Sequence, residues 1–285
     1  MIDFRLLYPG FKKKAVTFSY DDGILQDVQL VEIFNKYGMK ATFNLNYGQS
    51  GEPKFRLDKD GVEIDCSHLD LDKNVHLYDG HEIANHTYHH PHLETISSEE
   101  QKEEYRKNRE ALENLFQKSV LGAAYPYGSY DYDTLRIQKE LGIEYDRTVR
   151  STYSFNLPSD WLLWNPTIHH RDKRIMQVLD EFFEDNQELS LMYIWGHAYE
   201  FGIDHNFELM DDICRRLSQQ TDILPMTNHE VYQYVHAALM VYHRDGSFRN
   251  PSGMDVYLNV DGRNIVVPAK GEFPYGEKND SHRFR

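Results

Sequence analysis

The stretch Ala15–Phe34, AVTFSYDDGILQDVQLVEIF, decides how the fold is read. A β-rich run, AVTFS at residues 15–19, leads to two adjacent carboxylates, Asp21 and Asp22, and then to Gly23. Beyond them Leu25, Val28, Val31 and Phe34 recur at helical spacing until Gly38 closes the helix. Residues 40–46, KATFNLN, supply the next strand, which makes the unit β-α-β. Adjacent like charges repel unless water, a cation or function compensates them. The plain alternative is a solvated turn in which Asp22 caps the helix.

The same alternation continues outward. HEIAN (81–85) reads as a strand, and a capping box at Ser97–Glu100 opens a helix that runs to about Phe116. Strands are expected near Ala123, near Tyr145, over Leu189–Trp195 and at residues 223–226. Helices are expected from about Asp133 to Leu141, Lys173 to Asp185, Phe207 to Gln220 and His229 to Tyr242. This pattern predicts an α/β protein with a parallel sheet and helices outside it, open or closed into a barrel. Residues 47–78 interrupt the rhythm as a polar insertion with a hairpin at Asp60-Gly61. Residues 1–242 are therefore expected to form the α/β body. Residues 243–285 are expected to form a small β appendage, with a hairpin at Asp261-Gly262 and a mobile tail, PYGEKNDSHRFR.

Composition narrows the partners. The chain has 285 residues, with 31 Lys and Arg against 46 Asp and Glu, for a net charge of -15. That balance argues against nucleic acid and anionic membranes, which bind through clustered cations. Two cysteines, Cys66 and Cys214, make no disulfide framework. The N-terminal run MIDFRLLYPGFKKKAV has no signal-like apolar core, and no segment approaches the ~20 apolar residues of a membrane helix. A cytoplasmic location is expected, and the oligomeric state, homo-oligomer included, is left open.

A second chemical concentration is GHEIANHTYHHPHL, residues 80–93. His86 and His90 are four apart, so a helix or tight turn can aim both imidazoles at one point. With one carboxylate they make three protein ligands, and catalytic zinc sites commonly leave the fourth position to water. A polar loop is the competing reading. Both clusters follow expected strands, and in α/β barrels such strand ends share one functional face. Pro126 and Tyr127 follow a third strand and His197 a fourth, which points all of them to the same mouth.

These residues carry a resemblance. TFSYDDG is similar to the T-F-D-D-G motif of the polysaccharide deacetylase family (NodB-like, carbohydrate esterase family 4), with two residues inserted before the aspartates. HTYHH matches its second motif, H-[ST]-x-x-H, YPYG (125–128) resembles the core of the third, and YIWGH ending at His197 resembles the fifth. The resemblance covers roughly residues 13–240 and implies a distorted (β/α) barrel of about seven strands. It also implies a hydrolase that removes acetyl groups from an N- or O-acetylated carbohydrate with one divalent metal ion, zinc foremost. Asp22, His86 and His90 would hold the metal, Asp21 would be the base and His197 the acid. The Tyr127 backbone N–H would face the developing oxyanion.

Two departures stand out. The family's Arg two residues before the motif-three Pro is Ala124 here, and Arg147 or Arg150 is expected to replace it. The fourth motif survives only as Asp160-Trp161, so Asp160 is the candidate for orienting His197, against a simple turn-capping role. Tyr125, Pro126, Trp164 and Tyr199 are expected to line the substrate cleft. Tyr47, Tyr127, Tyr130 and Phe201 could join Trp164 and Tyr199 in stacking on a sugar ring. Two alternatives stay open: hydrolysis of another amide, such as a cyclic imide or ureide, and a non-catalytic carbohydrate-binding protein on the same scaffold.

Overall fold

The computed structural model describes residues 3–275. In chain order these form β1 (Phe4–Leu7), β2 (Lys14–Asp22), α1 (Asp27–Lys36) and β3 (Ala41–Leu45). A hairpin of β4 (Phe55–Leu57) and β5 (Glu63–Asp65) follows, then β6 (Glu82–Asn85), α2 (Ser98–Phe116), β7 (Gly122–Ala124), α3 (Tyr132–Leu141) and β8 (Tyr145–Arg147). The second half contains β9 (Ile168–His169), α4 (Ile175–Glu184), β10 (Ser190–Gly196), α5 (Tyr199–Asp204), α6 (Phe207–Ser218), β11 (Ile223–Pro225) and α7 (Asn228–Leu239). Five short strands complete the chain: β12 (Tyr242–Arg244), β13 (Ser247–Asn250), β14 (Val256–Val260), β15 (Arg263–Val267) and β16 (Gly271–Pro274).

Seven parallel strands run in the order β8-β7-β6-β3-β2-β10-β9, and β11 pairs with the first residues of β2. Every residue of β2 is buried. Its period-2 alternation sends Val16, Phe18 and Tyr20 into an apolar layer with Phe34 of α1, while Thr17 bonds Asn228 and Ser19 bonds Asn44. The sheet is strongly curled. In a flat sheet, β8 and β2, four steps apart, would lie about 19 Å from each other at ~4.8 Å per step. Arg147 of β8 nevertheless grips Asp21 of β2 across the interior. Between the sheet's two ends, Trp164 bridges to Arg147 and Ile168 pairs with Ile194. The architecture is the distorted (β/α) barrel that the motifs imply.

Local signals explain the helices that frame this sheet. Ser97 and Glu100 form the reciprocal capping box of α2, and Asp131 and Thr227 cap α3 and α7 in the same way. Helix α7 ends at Leu239, three residues short of the expected Tyr242. The last strands form two three-stranded sheets, β12-β13-β16 and β1-β14-β15. A turn at Asp261-Gly262 joins β14 to β15. The third strand of that sheet, β1, comes from the N-terminus and pairs antiparallel with β14. Residues 276–285, most of the expected tail, lie outside the described residues.

Candidate functional site

Strand β2 ends by turning two neighbours toward one place. Asp21 continues the inward face of Ser19, and its successor would normally point the other way. Asp22 instead has φ +81°, a left-handed conformation that Asp tolerates better than most residues, and it swings back into the mouth. The loop after β6 is built similarly, with φ +62° at Thr87 and +57° at His90, so a strained loop rather than a helix aligns the imidazoles. Asparagines fix that loop. Asn46 donates to the carbonyls of His86 and Thr87, and Asn108 of α2 donates to Leu45 O and Asn85 Oδ1, each at 2.8 Å.

The convergence at the mouth is close. Asp22 Oδ1 lies 3.7 Å from His86 Nε2 and 3.6 Å from His90 Nε2, and the two imidazole nitrogens are 3.1 Å apart. His86 Nδ1 donates to Ala124 O at 2.7 Å, which leaves the lone pair on Nε2 facing inward. Burial pushes both imidazoles toward the neutral form, His90 to about 3 with further help from His86. Asp22 Oδ1 is buried and has no hydrogen-bond partner. A carboxylate oxygen left bare between two neutral imidazoles fits a divalent cation, and the donor set suits zinc and several other first-row ions.

Asp21 is held separately. Arg147, fully buried, places Nη2 at 2.6 and 2.5 Å from its two oxygens, and Asn44 Nδ2 donates to Oδ1 at 2.8 Å. Burial would raise the Asp21 pKa, yet Arg147, followed by His86 and His197, holds it below its ordinary value. Of the two arginines expected beside Asp21, Arg147 is the one that contacts it, while Arg150 is exposed. His197 Nε2 stands 3.8 Å from Asp21 Oδ2 on the opposite side.

Asp160 does not support His197. Its carboxylate accepts the Leu162 N–H at 2.9 Å and caps the turn Trp161–Leu163, and no hydrogen bond or ion pair among the described residues joins it to His197. The carboxylate beside His197 is Glu200 at the start of α5, with Oε2 3.6 Å from Nδ1 and accepting the His197 backbone N–H at 3.1 Å. Glu200 also meets His169 Nε2 at 3.2 Å, His170 Nε2 at 3.4 Å and Arg171 Nη1 at 3.5 Å. Since the Arg171 N–H donates to His169 Nδ1 at 3.1 Å, His169 presents Nε2–H to this carboxylate. Burial lowers the His197 pKa, but Glu200, then Asp22 and Asp21, overcome it and lift it to about 9. The spacing His197-x-x-Glu200, one helical turn, was the available sequence signal.

Several expected cleft residues belong to the core. Trp164 is buried among Tyr145, Trp161 and Tyr193. Tyr125 is buried, its hydroxyl donating to Gln138 Oε1 at 2.8 Å and Leu162 O at 2.7 Å. Pro126 and Phe201 are buried as well. None of these four can stack on a ligand. Tyr127 can: it is 58% exposed, lies flat on His92 at 3.8 Å and meets the edge of His90 at 4.4 Å. Tyr199, half-buried, sits with its ring 5.1 Å from that of His197. Tyr130 is exposed, and Tyr47 hydrogen-bonds Asp72.

The curled parallel barrel, with paired carboxylates and imidazoles at the carboxyl ends of its strands, is consistent with the barrel fold of carbohydrate esterase family 4. Residues 9–145, just under half of the chain, match the family model described as polysaccharide deacetylase. YxkH of Bacillus subtilis (strain 168), a proposed polysaccharide deacetylase, is 26% identical over 133 residues, 46% of this chain and 43% of YxkH. The chain thus spans less than half the length of this curated relative. Among solved structures, a proposed polysaccharide deacetylase from Mycobacterium smegmatis aligns with a TM-score of 0.58 at 15% identity, covering 82% of this chain and 93% of that one. Peptidoglycan deacetylase PdaC from Bacillus subtilis aligns at 0.51 with 15% identity, covering 82% and 96%. These structural likenesses concern the fold. No helix among the described residues is long and apolar enough to cross a membrane.

Proposed function

We propose that the protein is a metal-dependent hydrolase that removes acetyl groups from an N- or O-acetylated carbohydrate. The observation that carries this reading is the bare Oδ1 of Asp22 between two neutral imidazoles, beside a separately anchored Asp21. Asp22, His86 and His90 would hold the ion. When bound there, a divalent ion acidifies a water molecule and polarises an acyl carbonyl.

The chain's own groups supply the rest. Asp21 stays ionised because Arg147 and Asn44 hold both its oxygens, so it accepts the proton of the attacking water. His197, kept protonated beside Glu200, donates to the departing nitrogen or oxygen as the C–N or C–O bond breaks. The Tyr127 backbone N–H stabilises the negative charge that develops on the acyl oxygen. The Tyr127 and Tyr199 rings flank the approach and offer apolar faces to a sugar. This reading keeps the protein independent of nucleic acid, with an acetylated carbohydrate as its partner.

Acetate release from acetylated oligosaccharides tests it. The wild-type protein reconstituted with zinc is expected to release acetate, and Asp21→Asn and His197→Ala are each expected to lose at least about a hundredfold in kcat, in line with general acid–base contributions. A rate equal to that of the wild type in either variant would contradict the assignment.

A further inference from the structure

In the hairpin of residues 52–68, strand β4 is built inside out. Phe55 is 57% and Leu57 65% exposed, and Val62 in the turn is 59% exposed. The alternate residues, Lys54 and Arg56, are half-buried on the face turned toward the body. A strand laid on a protein ordinarily shows the body its apolar side and water its charged side. In β4 that order is reversed, whereas β5 keeps it, with Ile64 and Cys66 turned inward and Glu63 and Asp65 exposed.

The hairpin is fastened over the metal ligands. The Leu25 N–H donates to Ser67 O at 3.0 Å, the Leu69 N–H donates to Gly23 O at 2.8 Å, and His68 Nδ1 donates to Asp22 O at 3.0 Å. On the other side the Lys59 N–H donates to Ile203 O at 3.0 Å, and Asp58 Oδ2 meets His205 Nε2 at 2.6 Å. This clamp brings the Arg56 guanidinium to 4.2 Å over the Tyr199 ring, next to His197. Lys54 belongs to the same clamp: its N–H donates to Ser67 Oγ at 3.0 Å and its carbonyl accepts from the Cys66 N–H at 2.8 Å, next to His68.

Neither cation has a hydrogen-bonded or ion-paired partner among the described residues, and Arg56 Nε is buried without an acceptor. In a chain with 46 acidic against 31 basic residues, surface cations find carboxylates easily, as the many ion pairs along α2 and α3 show. Leaving a half-buried guanidinium nitrogen unpartnered costs desolvation energy that a bound anion would recover.

Resting on the deacetylase reading, we infer that the Lys54–Arg56 face receives an anionic substituent of the sugar substrate. The proposed substrate class is an acetylated oligosaccharide bearing a carboxylate or sulfate close to the acetylated unit. Tyr199, with Arg56 already stacked on it, positions the ring that carries this charge.

Calorimetric binding of three N-acetylhexosamine tetrasaccharides to the zinc-loaded full chain tests the inference: one neutral, one alternating with hexuronic acid, one sulfated. At low salt an anionic member is expected to bind at least tenfold tighter than the neutral one, with the advantage shrinking as salt is added. The arm that binds tighter identifies carboxylate or sulfate as the recognised group. Lys54→Ala/Arg56→Gln is expected to collapse the preference to below threefold, whereas Lys54→Arg retains it. Equal affinity of the wild type for all three, or an equal loss on neutral and anionic members in the double variant, would overturn the inference. Acetate release is followed on the same samples. Charge-selective binding without turnover would contradict the deacetylase reading while leaving the anion-recognising face standing.

Discussion

Removing Arg147 should be costly in a way that a second substitution repairs. Arg147 is fully buried, and its partner Asp21 nearly so. At about 4 Å between charge centres and an effective dielectric constant of about 20, the pair is worth about 4 kcal/mol. Arg147→Met strands the Asp21 carboxylate in the barrel interior, and loss of one member of a buried ion pair typically costs ~3–5 kcal/mol. Asp21→Asn in the same chain removes the stranded charge, and Asn44 can still donate to the new amide oxygen. The double variant is therefore expected to recover more than half of the loss, for a coupling of about 2–3 kcal/mol. Urea unfolding of the four proteins in a chelator, so that metal binding does not enter, measures this cycle. Strict additivity would refute the claim that Arg147 exists to hold Asp21.

Other perturbations separate the roles of individual side chains. Glu200→Gln removes the strongest upward influence on His197, so the alkaline limit of activity, set by a group near 9, should fall by a pH unit or more. Asp160→Asn should leave that limit in place in the same pH–rate profiles, because Asp160 only caps a turn. Asp27, buried beside Tyr78, has its pKa raised by burial to about 8. Folded protein therefore keeps a proton that the unfolded chain releases near ~3.9, and the resulting stability, complete below that pH, is lost as pH rises through about 8. Asp27→Asn should flatten this decline in urea titrations between pH 5 and 8, and parallel curves would count against it. Trp164→Ala should cost ~3–5 kcal/mol as a core truncation, whereas Tyr127→Ala should weaken oligosaccharide binding and leave the melting temperature nearly unchanged.

The legible parts of this molecule are those written in local pattern. The presence of a helix after Asp22, the capping box at Ser97 and the strand-end positions of Asp21, Asp22, His86, His90 and His197 follow from short-range rules. The expected helical face does not hold in full: Leu25 precedes α1, Val28 is exposed, and Leu30 and Ile33 join Val31 and Phe34 in the core. What the chain conceals depends on curvature and parity. Arg147 meets Asp21 only because the sheet curls, and nothing local to residues 145–147 says so. Tyr125 and Trp164 sit beside strand ends as Tyr127 does, yet alternation turns them inward, where Gln138 satisfies one hydroxyl and aromatic rings surround the indole. The pairing of β1 with β14 joins segments some 250 residues apart, beyond the reach of any local signal. The cations of the hairpin are hidden for a related reason, since periodicity reveals two faces of a strand without saying which one meets the protein.

Metal content of the purified chain, measured by elemental mass spectrometry beside an Asp22→Asn/His86→Ala variant, bears most directly on the central claim. The account predicts about one divalent ion per wild-type chain after reconstitution, held by Asp22, His86 and His90 rather than by His169, His170 and Glu200 or by Asp58, Asp60 and His205, and loss of that ion in the variant. Equal metal in both proteins, or none in the wild type under saturating zinc, would contradict it.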